Sequence, residues 1–278
     1  MIAQDLSELK NEIIKKFSET EGTFALAFKD LQSGETIFIN EKENFHAAST
    51  MKTPVMIEIF KMAEAGKINL DDSVLVKNDF ISIVDSSHYS MDLNEDSGEK
   101  LYSFIGKKKT IRELVYEMIT VSSNLATNIL IEICGAQNVM KTMKELGADD
   151  IKVLRGVEDI KAFEAGLNNT TTAFDLMVIF EAIANKTILS EKLCDEMIEI
   201  LLDQKFNRII PAKLPDDVKA AHKTGSITGI QHDSGIVYLP DGRKYVIVLL
   251  AKNLKDSAKG VETEAEVSRM IYDHLNKN

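Results

Sequence analysis

The sequence predicts an α+β fold in which an antiparallel sheet is flanked by terminal helices, with an all-helical lobe inserted into the chain between its strands. Two observations support this prediction. Strand-like segments occur near both ends of the 278-residue chain, and most periodic segments between Thr50 and about Gln204 have helical spacing. A sheet built from both chain ends is therefore the most economical architecture.

The N-terminal part of the chain predicts a helix followed by a hairpin. Apolar residues recur at helical spacing from Asp5 to Ser18. The next stretch, Thr23 to Lys29, alternates like a strand, residues 30–34 form a turn, and Thr36 to Ile39 is the second strand. The C-terminal part predicts three strands and a closing helix, at residues 218–224, 235–239, 245–250 and 258–275.

These elements predict two lobes with an active site at their junction. Residues 1–45 and 206–278 would form an α/β lobe, and residues 46–205 would form the helical lobe. Within the helical lobe, Lys77 to Lys109 is predicted as a long polar loop, and a loop of this length is usually functional or mobile.

Composition is ordinary for a soluble globular protein, with 44% hydrophobic and 28% charged residues. The formal net charge of −11 argues against nucleic acid as a partner, because phosphates would be repelled. Cys134 and Cys194 fall in apolar helical stretches, and the five histidines lack metal-ligand spacing. We therefore expect no metal, no other cofactor and a monomeric protein.

No segment approaches the apolar length of a membrane span, and the longest, Tyr245 to Ala251, has the character of a strand. The first residues, Met1 to Leu6, lack the basic start and the apolar core of a signal peptide. This pattern is compatible with a cytoplasmic protein or with a mature form whose leader has been removed.

Three short motifs provide the strongest functional signal. Ser49-Thr50-Met51-Lys52 places a hydroxyl nucleophile beside an amine, Ser122-Ser123-Asn124 adds a second hydroxyl and an amide, and Lys223-Thr224-Gly225 adds a second cation. Ser-x-x-Lys alone is a weak signal, because it also occurs at Ser7–Lys10 and Ser97–Lys100. The Ser49 motif differs from these two because an apolar run typical of a buried helix follows it.

The spacing of the first two motifs predicts how they work together. Ser49 and Lys52 share one face of a helix, and the N–H groups at the start of that helix lie where an oxyanion would form. Lys52 can act as a base if burial and a second cation, Lys223, lower its pKa. Ser122 suits a proton relay, and Asn124 can present its amide to both the substrate and Lys52.

The third motif predicts a substrate-binding strand. Lys223 and Thr224 can bind a substrate carboxylate, and Gly225 lets a ligand lie against the strand edge. The N–H of Ser226 would be a second oxyanion donor. The alternative for the second motif is structural, with Ser122 as a helix N-cap.

In this order the motifs resemble the signature of the class A β-lactamase and penicillin-binding-protein superfamily. The resemblance covers essentially the whole chain, because motif order, helical insertion and terminal sheet all agree. It implies that Ser49 is acylated by a β-lactam or a peptidoglycan peptide. It also implies a periplasmic or extracellular location if a leader has been removed.

The chain departs from the class A pattern in two places. The middle residue of the second motif is usually aspartate and here is Ser123. The class A loop Arg-x-Glu-x-x-Leu-Asn, whose glutamate activates the deacylating water, is matched only in pieces. Arg155 is followed by Glu158 one position late, and Glu164–Asn168 fits only the second half. We favour Glu158 because it preserves the loop length, and the alternative is that both glutamates are merely solvated.

Three functional hypotheses follow. The first is a metal-free serine hydrolase that opens β-lactams through a Ser49 acyl-enzyme. If neither Glu158 nor Glu164 reaches the ester, the chain would be a penicillin-binding or D-alanyl-D-alanine carboxypeptidase-like enzyme with slow deacylation. The third is a catalytically idle module that binds a β-lactam or a peptide.

Overall fold

A computed structural model describes residues 6–276 of the chain. The α-helices in this range are α1 (Leu6–Ser18), α2 (Lys52–Glu64), α3 (Glu99–Tyr102), α4 (Ile111–Thr120), α5 (Asn124–Cys134), α6 (Ala136–Glu145), α7 (Ile160–Glu164), α8 (Ala173–Ala184), α9 (Glu191–Leu202) and α10 (Ser257–Leu275). The strands are β1 (Thr23–Asp30), β2 (Thr36–Ile39), β3 (Phe45–His46), β4 (Ser73–Leu75), β5 (Phe80–Ile81), β6 (His88–Tyr89), β7 (Lys108–Thr110), β8 (Thr170–Thr171), β9 (Lys219–Ile227), β10 (Ile230–Tyr238) and β11 (Lys244–Lys252). Two 3₁₀ helices span Ala48–Met51 and Leu93–Glu95.

The five long strands form one antiparallel sheet in the order β2-β1-β11-β10-β9. Strand β1 pairs with β11, so the two ends of the chain meet inside one sheet and the predicted fold class is confirmed. Strand β10 begins at Ile230, five residues before the predicted Gly235, because buried polar residues hide its alternation. The predicted start of the first helix, Asp5, lies outside the described residues.

The two faces of the sheet carry different packing layers. Along β1, Leu26 and Phe28 face a core formed with α1 and α10, which also contains Ile13. The alternate residues Ala25 and Ala27 belong to the second core, shared with the central helices. Alternation along a strand explains this division, and the small alanines let α8 pack closely on β1.

Helix α2 runs through the centre of the helical segment and is buried from Lys52 to Phe60. It packs against α4, α5 and α6. The 3₁₀ turn that precedes it contacts β9, the edge strand of the sheet. Because α5 begins inside the second motif and β9 carries the third, this packing brings the three motifs together.

The segment from Lys77 to Lys109, predicted as a polar loop, contains the short elements β5, β6, α3 and a 3₁₀ turn. Asp96, in its middle, is buried and accepts hydrogen bonds from the start of α5. The predicted long loop therefore carries short elements, and it is held both by these polar contacts and by Phe80, Met91 and Leu101, which belong to the core. None of the helices within residues 6–276 has the combination of length and apolar character needed to cross a bilayer.

Candidate active site

Ser49 lies in the 3₁₀ turn Ala48–Met51, and the α-helix proper begins at Lys52. The predicted helix from Ser49 onward therefore has a tighter first turn than expected. Side chains three residues apart are eclipsed in a 3₁₀ helix, so Ser49 and Lys52 still share one face. Ala48, just before Ser49, has a φ of 45°, an unusual value for a residue with a side chain.

Two histidines hold this turn in place. The N–H of Ala48 donates to His46 Nδ1 at 3.0 Å, and His232 Nε2 lies 2.9 Å from the carbonyl oxygen of His46. Burial and the nearby charge of Arg155 lower the pKa of His46, so its ring keeps the lone pair that the Ala48 N–H requires. The sequence did not signal the contact of His232 with His46, because these two residues meet only in the folded chain.

Lys52 is completely buried, with 0% of its surface exposed. Its Nζ donates to the Ser122 carbonyl oxygen at 2.6 Å, to Ser122 Oγ at 3.1 Å and to Asn124 Oδ1 at 2.9 Å. Burial lowers the pKa of Lys52 to about 7, although the charges of Asp96 and Glu158 oppose the shift. Burial therefore favours the uncharged form of this amine.

Lys223 approaches the same hydroxyl group from the edge strand. Its Nζ lies 3.1 Å from Ser122 Oγ and 2.8 Å from the Thr224 carbonyl oxygen. Burial and the charge of Lys52 lower the pKa of Lys223, and Asp233 opposes the shift. Ser122 Oγ thus lies between two amines. Because two positive charges at this distance repel, the pair favours a state in which only one of the amines is charged.

The residues of the second motif divide between capping helix α5 and contacting the two buried amines. Ser123 is the N-cap of α5 and accepts from the N–H of Ala126, so the alternative that Ser122 serves as the cap is wrong. Ser122 precedes the cap with a φ of 58°, and its side chain is left to contact Lys52 and Lys223.

Glu158 lies at the candidate site, whereas Glu164 does not. Glu158 Oε1 accepts from Asn124 Nδ2 at 3.0 Å, and Oε2 accepts from the Asp92 N–H at 3.2 Å. Burial is the main cause that raises the pKa of Glu158. The Glu158 side chain lines one cavity together with Ser49. Glu164 is exposed at the end of α7 and lines neither of the cavities that contain Ser49.

The loop that carries Glu158 is closed by hydrogen bonds between its two ends, at Arg155 and Asn169. Asn169 Oδ1 accepts from the Arg155 N–H, and Asn169 Nδ2 donates to the Arg155 carbonyl oxygen. Asn128 binds both backbone groups of Val157 at 2.6 and 3.0 Å. Glu158 itself has a φ of 62°, so its side chain leaves the loop at an angle that ordinary spacing rules do not predict.

The third motif lines the site along the edge strand β9. A Cβ added to Gly225 would lie 3.1 Å from the backbone nitrogens of Ser49 and Thr50, so glycine permits the close approach of the two backbones. Ser226 lines both cavities that contain Ser49, and Thr224 lines the first of them.

Ser49 opens onto two adjoining cavities. The first has a volume of about 290 Å³ and is also lined by Ser122, Thr224 and Arg208. The second, of about 630 Å³, contains Glu158 and has an apolar side that includes Phe163. Arg208 is exposed and forms no ion pair within residues 6–276, so its guanidinium is available to a ligand; no motif signalled it. In the same part of the chain no three His, Cys, Asp or Glu side chains form a group that could hold a metal ion.

Comparison with known proteins agrees with this arrangement. A family model described as "Beta-lactamase enzyme family" matches residues 7–275. A β-lactamase from Bacteroides uniformis is 26% identical over 289 aligned residues, which cover 98% of this chain and 93% of that protein.

Solved structures are similar over the whole chain. The β-lactamase from Sphaerobacter thermophilus DSM 20745 is 26% identical with a TM-score of 0.84, and the match covers 97% of each chain. The structure of PBP-A is 28% identical with a TM-score of 0.86, covering 99% of this chain and 98% of that one. Because the family model spans nearly all of the described residues, the resemblance inferred from the motifs is confirmed, and this chain belongs to the β-lactamase enzyme family.

Proposed function

We propose that this chain hydrolyses β-lactam amides through an acyl-enzyme on Ser49, as a serine hydrolase of the class A type. Family membership and relatives that are named β-lactamases support the hydrolytic activity. The observation that carries the residue-level proposal is the row Lys52–Ser122–Lys223, in which one hydroxyl lies 3.1 Å from each of two buried amines. We further propose that the protein acts as a monomer, with the site between lobes formed by residues 1–45 with 206–278 and by residues 46–205.

The hydrogen bonds of Lys52 suit the role of a base. An ammonium group at this position donates to all three acceptors around it. A neutral amine keeps two donors, for the Ser122 carbonyl oxygen and Asn124 Oδ1, and its lone pair is free to accept a proton. In this role Lys223 carries the positive charge of the pair. A substrate carboxylate would favour that charge and so oppose the burial and the Lys52 charge that lower the pKa of Lys223.

Acylation follows from this charge state. The Ser49 hydroxyl gives its proton to Lys52 as Oγ attacks the carbonyl carbon of the lactam. The ring C–N bond breaks as the Ser122 hydroxyl gives its proton to the leaving nitrogen, and Ser122 is reprotonated from Lys52. The products of the step are an ester on Ser49 and a neutral ring-opened amine, and the number of protons balances.

Two backbone N–H groups would stabilise the oxyanion. The N–H of Ser49 lies in the turn that begins α2, and the N–H of Ser226 lies on the edge strand beside it. Gly225 makes this approach possible because it has no side chain. The carboxylate of the substrate would be bound by Thr224 and by Arg208, which lines the same cavity.

Deacylation is assigned to Glu158. Its carboxylate is held by Asn124, it lines a cavity with Ser49, and its pKa is raised by burial, which makes it a stronger base than an exposed carboxylate. In this role Glu158 takes a proton from water as the water attacks the ester carbonyl. The C–O bond to Ser49 then breaks, and Glu158 returns that proton to Ser49 Oγ, so the hydroxyl and the carboxylate are both restored.

A second candidate function is a penicillin-binding, D-alanyl-D-alanine carboxypeptidase-like enzyme that deacylates slowly and acts on peptidoglycan peptides. Similarity to PBP-A at 28% identity supports it, and a related structure is an acyl-enzyme complex of a PBP-A mutant with penicillin G. The two functions share acylation and differ only in how fast the ester is hydrolysed.

Intact-mass spectrometry over minutes after mixing with penicillin G tests both proposals. A β-lactamase would show a transient adduct and released penicilloate, and Ser49→Ala should show neither while remaining folded. An adduct that persists for hours would overturn the β-lactamase proposal in favour of the second candidate. Failure of the wild type to form any adduct with a panel of β-lactams would overturn both and support an idle binding module.

A further inference from the structure

Asp96 lies outside the three motifs and is 4% exposed. Its carboxylate accepts from the backbone N–H groups of Asn124 and Leu125 at 2.9 and 2.8 Å, the first two of helix α5. The hydroxyl groups of Tyr102 and Ser123 also donate to it, at 3.1 and 3.4 Å. One carboxylate from a distant loop therefore satisfies two of the N–H groups that a helix N-terminus leaves without partners.

The fit between this loop and the second motif is close. A Cβ added to Gly98 would lie 2.4 Å from Ser123 Cβ and 2.5 Å from Ser123 Oγ. Only glycine at position 98 allows the two backbones to approach so closely, and a small residue at position 123 leaves room for the Asp96 carboxylate. The Gly98 N–H also donates to Asp96 Oδ1 at 2.8 Å, which sets the loop against the motif.

We propose that Asp96 is a positioning residue for the reaction, supplying from the 77–109 segment the carboxylate that Ser123 does not provide within the second motif. This inference rests on the proposed function of Ser122 and Asn124. By holding the first N–H groups of α5, Asp96 sets the position of Asn124 and of the turn at Ser122.

The position of the motif matters because both of its catalytic side chains have short contacts to set. Ser122 Oγ must lie between two amines, and Asn124 must contact Lys52 through one atom and Glu158 through another. A displacement of about 1 Å in such a constellation is enough to cost roughly a hundredfold in rate.

Asp96 also acts on Lys52 through its charge. The charged groups that face Lys52 are Lys223 from β9, Glu158 from the loop after Arg155, and Asp96. Of these, the carboxylates raise the pKa of Lys52 against the effect of burial. Removing the charge of Asp96 should therefore shift the acid limb of the acylation rate to lower pH, an effect that a purely structural residue would not have.

The experiment measures the rate of Ser49 acylation by penicillin G against pH in the wild type and in Asp96→Asn, which keeps the shape but offers one acceptor oxygen fewer. We expect the plateau rate to fall roughly 10- to 100-fold and the acid limb to move to lower pH. Asp79→Asn is the matched control and should change neither, because Asp79 is an exposed carboxylate of the same segment that pairs with His88.

A second test compares the effect of Ser123→Asp on the acylation rate in the wild type and in Asp96→Ala, where the two effects should have opposite signs. In the wild type, Ser123→Asp places a second carboxylate against Asp96 and should slow acylation. In the Asp96→Ala background the same change restores a carboxylate to the start of α5 and should speed acylation.

The outcomes separate the two proposals. Acylation of Asp96→Asn at the wild-type rate and with the wild-type pH midpoint would overturn this inference and leave the proposed function intact. So would a Ser123→Asp effect of the same sign in both backgrounds. A wild type that never acylates would overturn the proposed function, and this inference with it.

Discussion

The side-chain amide of Asn124 donates to Glu158 Oε1 at 3.0 Å, and its oxygen accepts from Lys52 at 2.9 Å. One amide therefore joins the group assigned to acylation and the group assigned to deacylation. This contact singles out Glu158 from the other glutamate of the loop and leads to the first prediction.

Glu158→Gln should trap the acyl-enzyme. The amide keeps the contact to Asn124 but cannot take a proton from water, so hydrolysis of the ester should slow roughly 10²- to 10⁴-fold. The plateau rate of acylation should be unchanged, and its acid limb should move to lower pH, because the charge of Glu158 raises the pKa of Lys52. Rapid-quench mass spectrometry with penicillin G measures both steps, and Glu164→Gln is the matched control that should behave like the wild type. Normal turnover by Glu158→Gln would show that another group activates the water that hydrolyses the ester.

The acylation rate should depend on pH through Lys52. A base must be unprotonated, and the pKa of Lys52 is lowered to about 7 by burial. The rate should therefore reach a plateau above this pH and fall about tenfold per pH unit well below it. Stopped-flow acylation from pH 5 to pH 9 measures the curve. Lys52→Ala should be slower by orders of magnitude at every pH, and a flat profile in the wild type would exclude Lys52 as the base.

Arg208→Ala should weaken recognition of the substrate carboxylate. A hydrogen bond to a charged group is worth about 1.5–3 kcal/mol, so kcat/KM should fall roughly 10- to 100-fold, and Arg208→Lys should recover part of the loss. Steady-state hydrolysis of a penicillin and of its methyl ester measures this difference. The ester lacks the charge and should be insensitive, as should Lys205→Ala for either substrate. Equal losses with acid and ester would show that Arg208 does not bind the carboxylate.

The fold should lose stability in mild acid because of His232. Burial lowers the pKa of His232 from 6.5 to about 4, so the unfolded chain binds a proton before the folded chain does. The free energy of unfolding should therefore decrease as pH falls from 6.5 to 4, by about 3 kcal/mol from this group. Urea titrations across this range test it against His232→Gln, which should flatten the slope, and against His88→Gln, an exposed histidine that should not. An unchanged slope in His232→Gln would refute the assignment.

Glu264 should act on stability in the opposite direction. Both of its carboxylate oxygens are buried without a hydrogen-bond partner within residues 6–276, and burial raises its pKa well above 4.5. A carboxyl group of this kind favours folding below pH 4.5 and opposes it as pH rises. Glu264→Met should therefore raise the free energy of unfolding at pH 7 by about 1–3 kcal/mol. The gain should shrink below pH 4.5, and a gain independent of pH would point to packing alone.

A strand that buries apolar residues was predicted with correct bounds, whereas a strand that buries polar residues was not. Strand β2 begins and ends at its predicted residues, because its apolar alternation is regular. Strand β10 was predicted too short because its first half contains His232 and Asp233, which are buried and polar. A pattern rule interprets polar residues as exposed, and only tertiary partners can make their burial tolerable.

Within the candidate site, contacts between residues close in sequence could be predicted, and contacts between distant residues could not. Ser49 and Lys52 are three residues apart, so their shared face follows from local geometry alone. The choice between Glu158 and Glu164 depends on how a loop closes at Asn169, and no local pattern describes that closure. Asp96 had no signal either, because its partners at the start of α5 lie almost thirty residues farther along the chain.

The sequence by itself determined the family, the order of the motifs and the sheet built from both chain ends, because hydrophobic periodicity and short-range spacing are local properties. Tertiary structure decided that Glu158 and Ser49 line one cavity, that Arg208 lines the other, and that Asp96 accepts from the first N–H groups of α5. Each of these depends on hydrogen bonds or cavities between segments that are distant in sequence, and such contacts are defined only once the chain has folded.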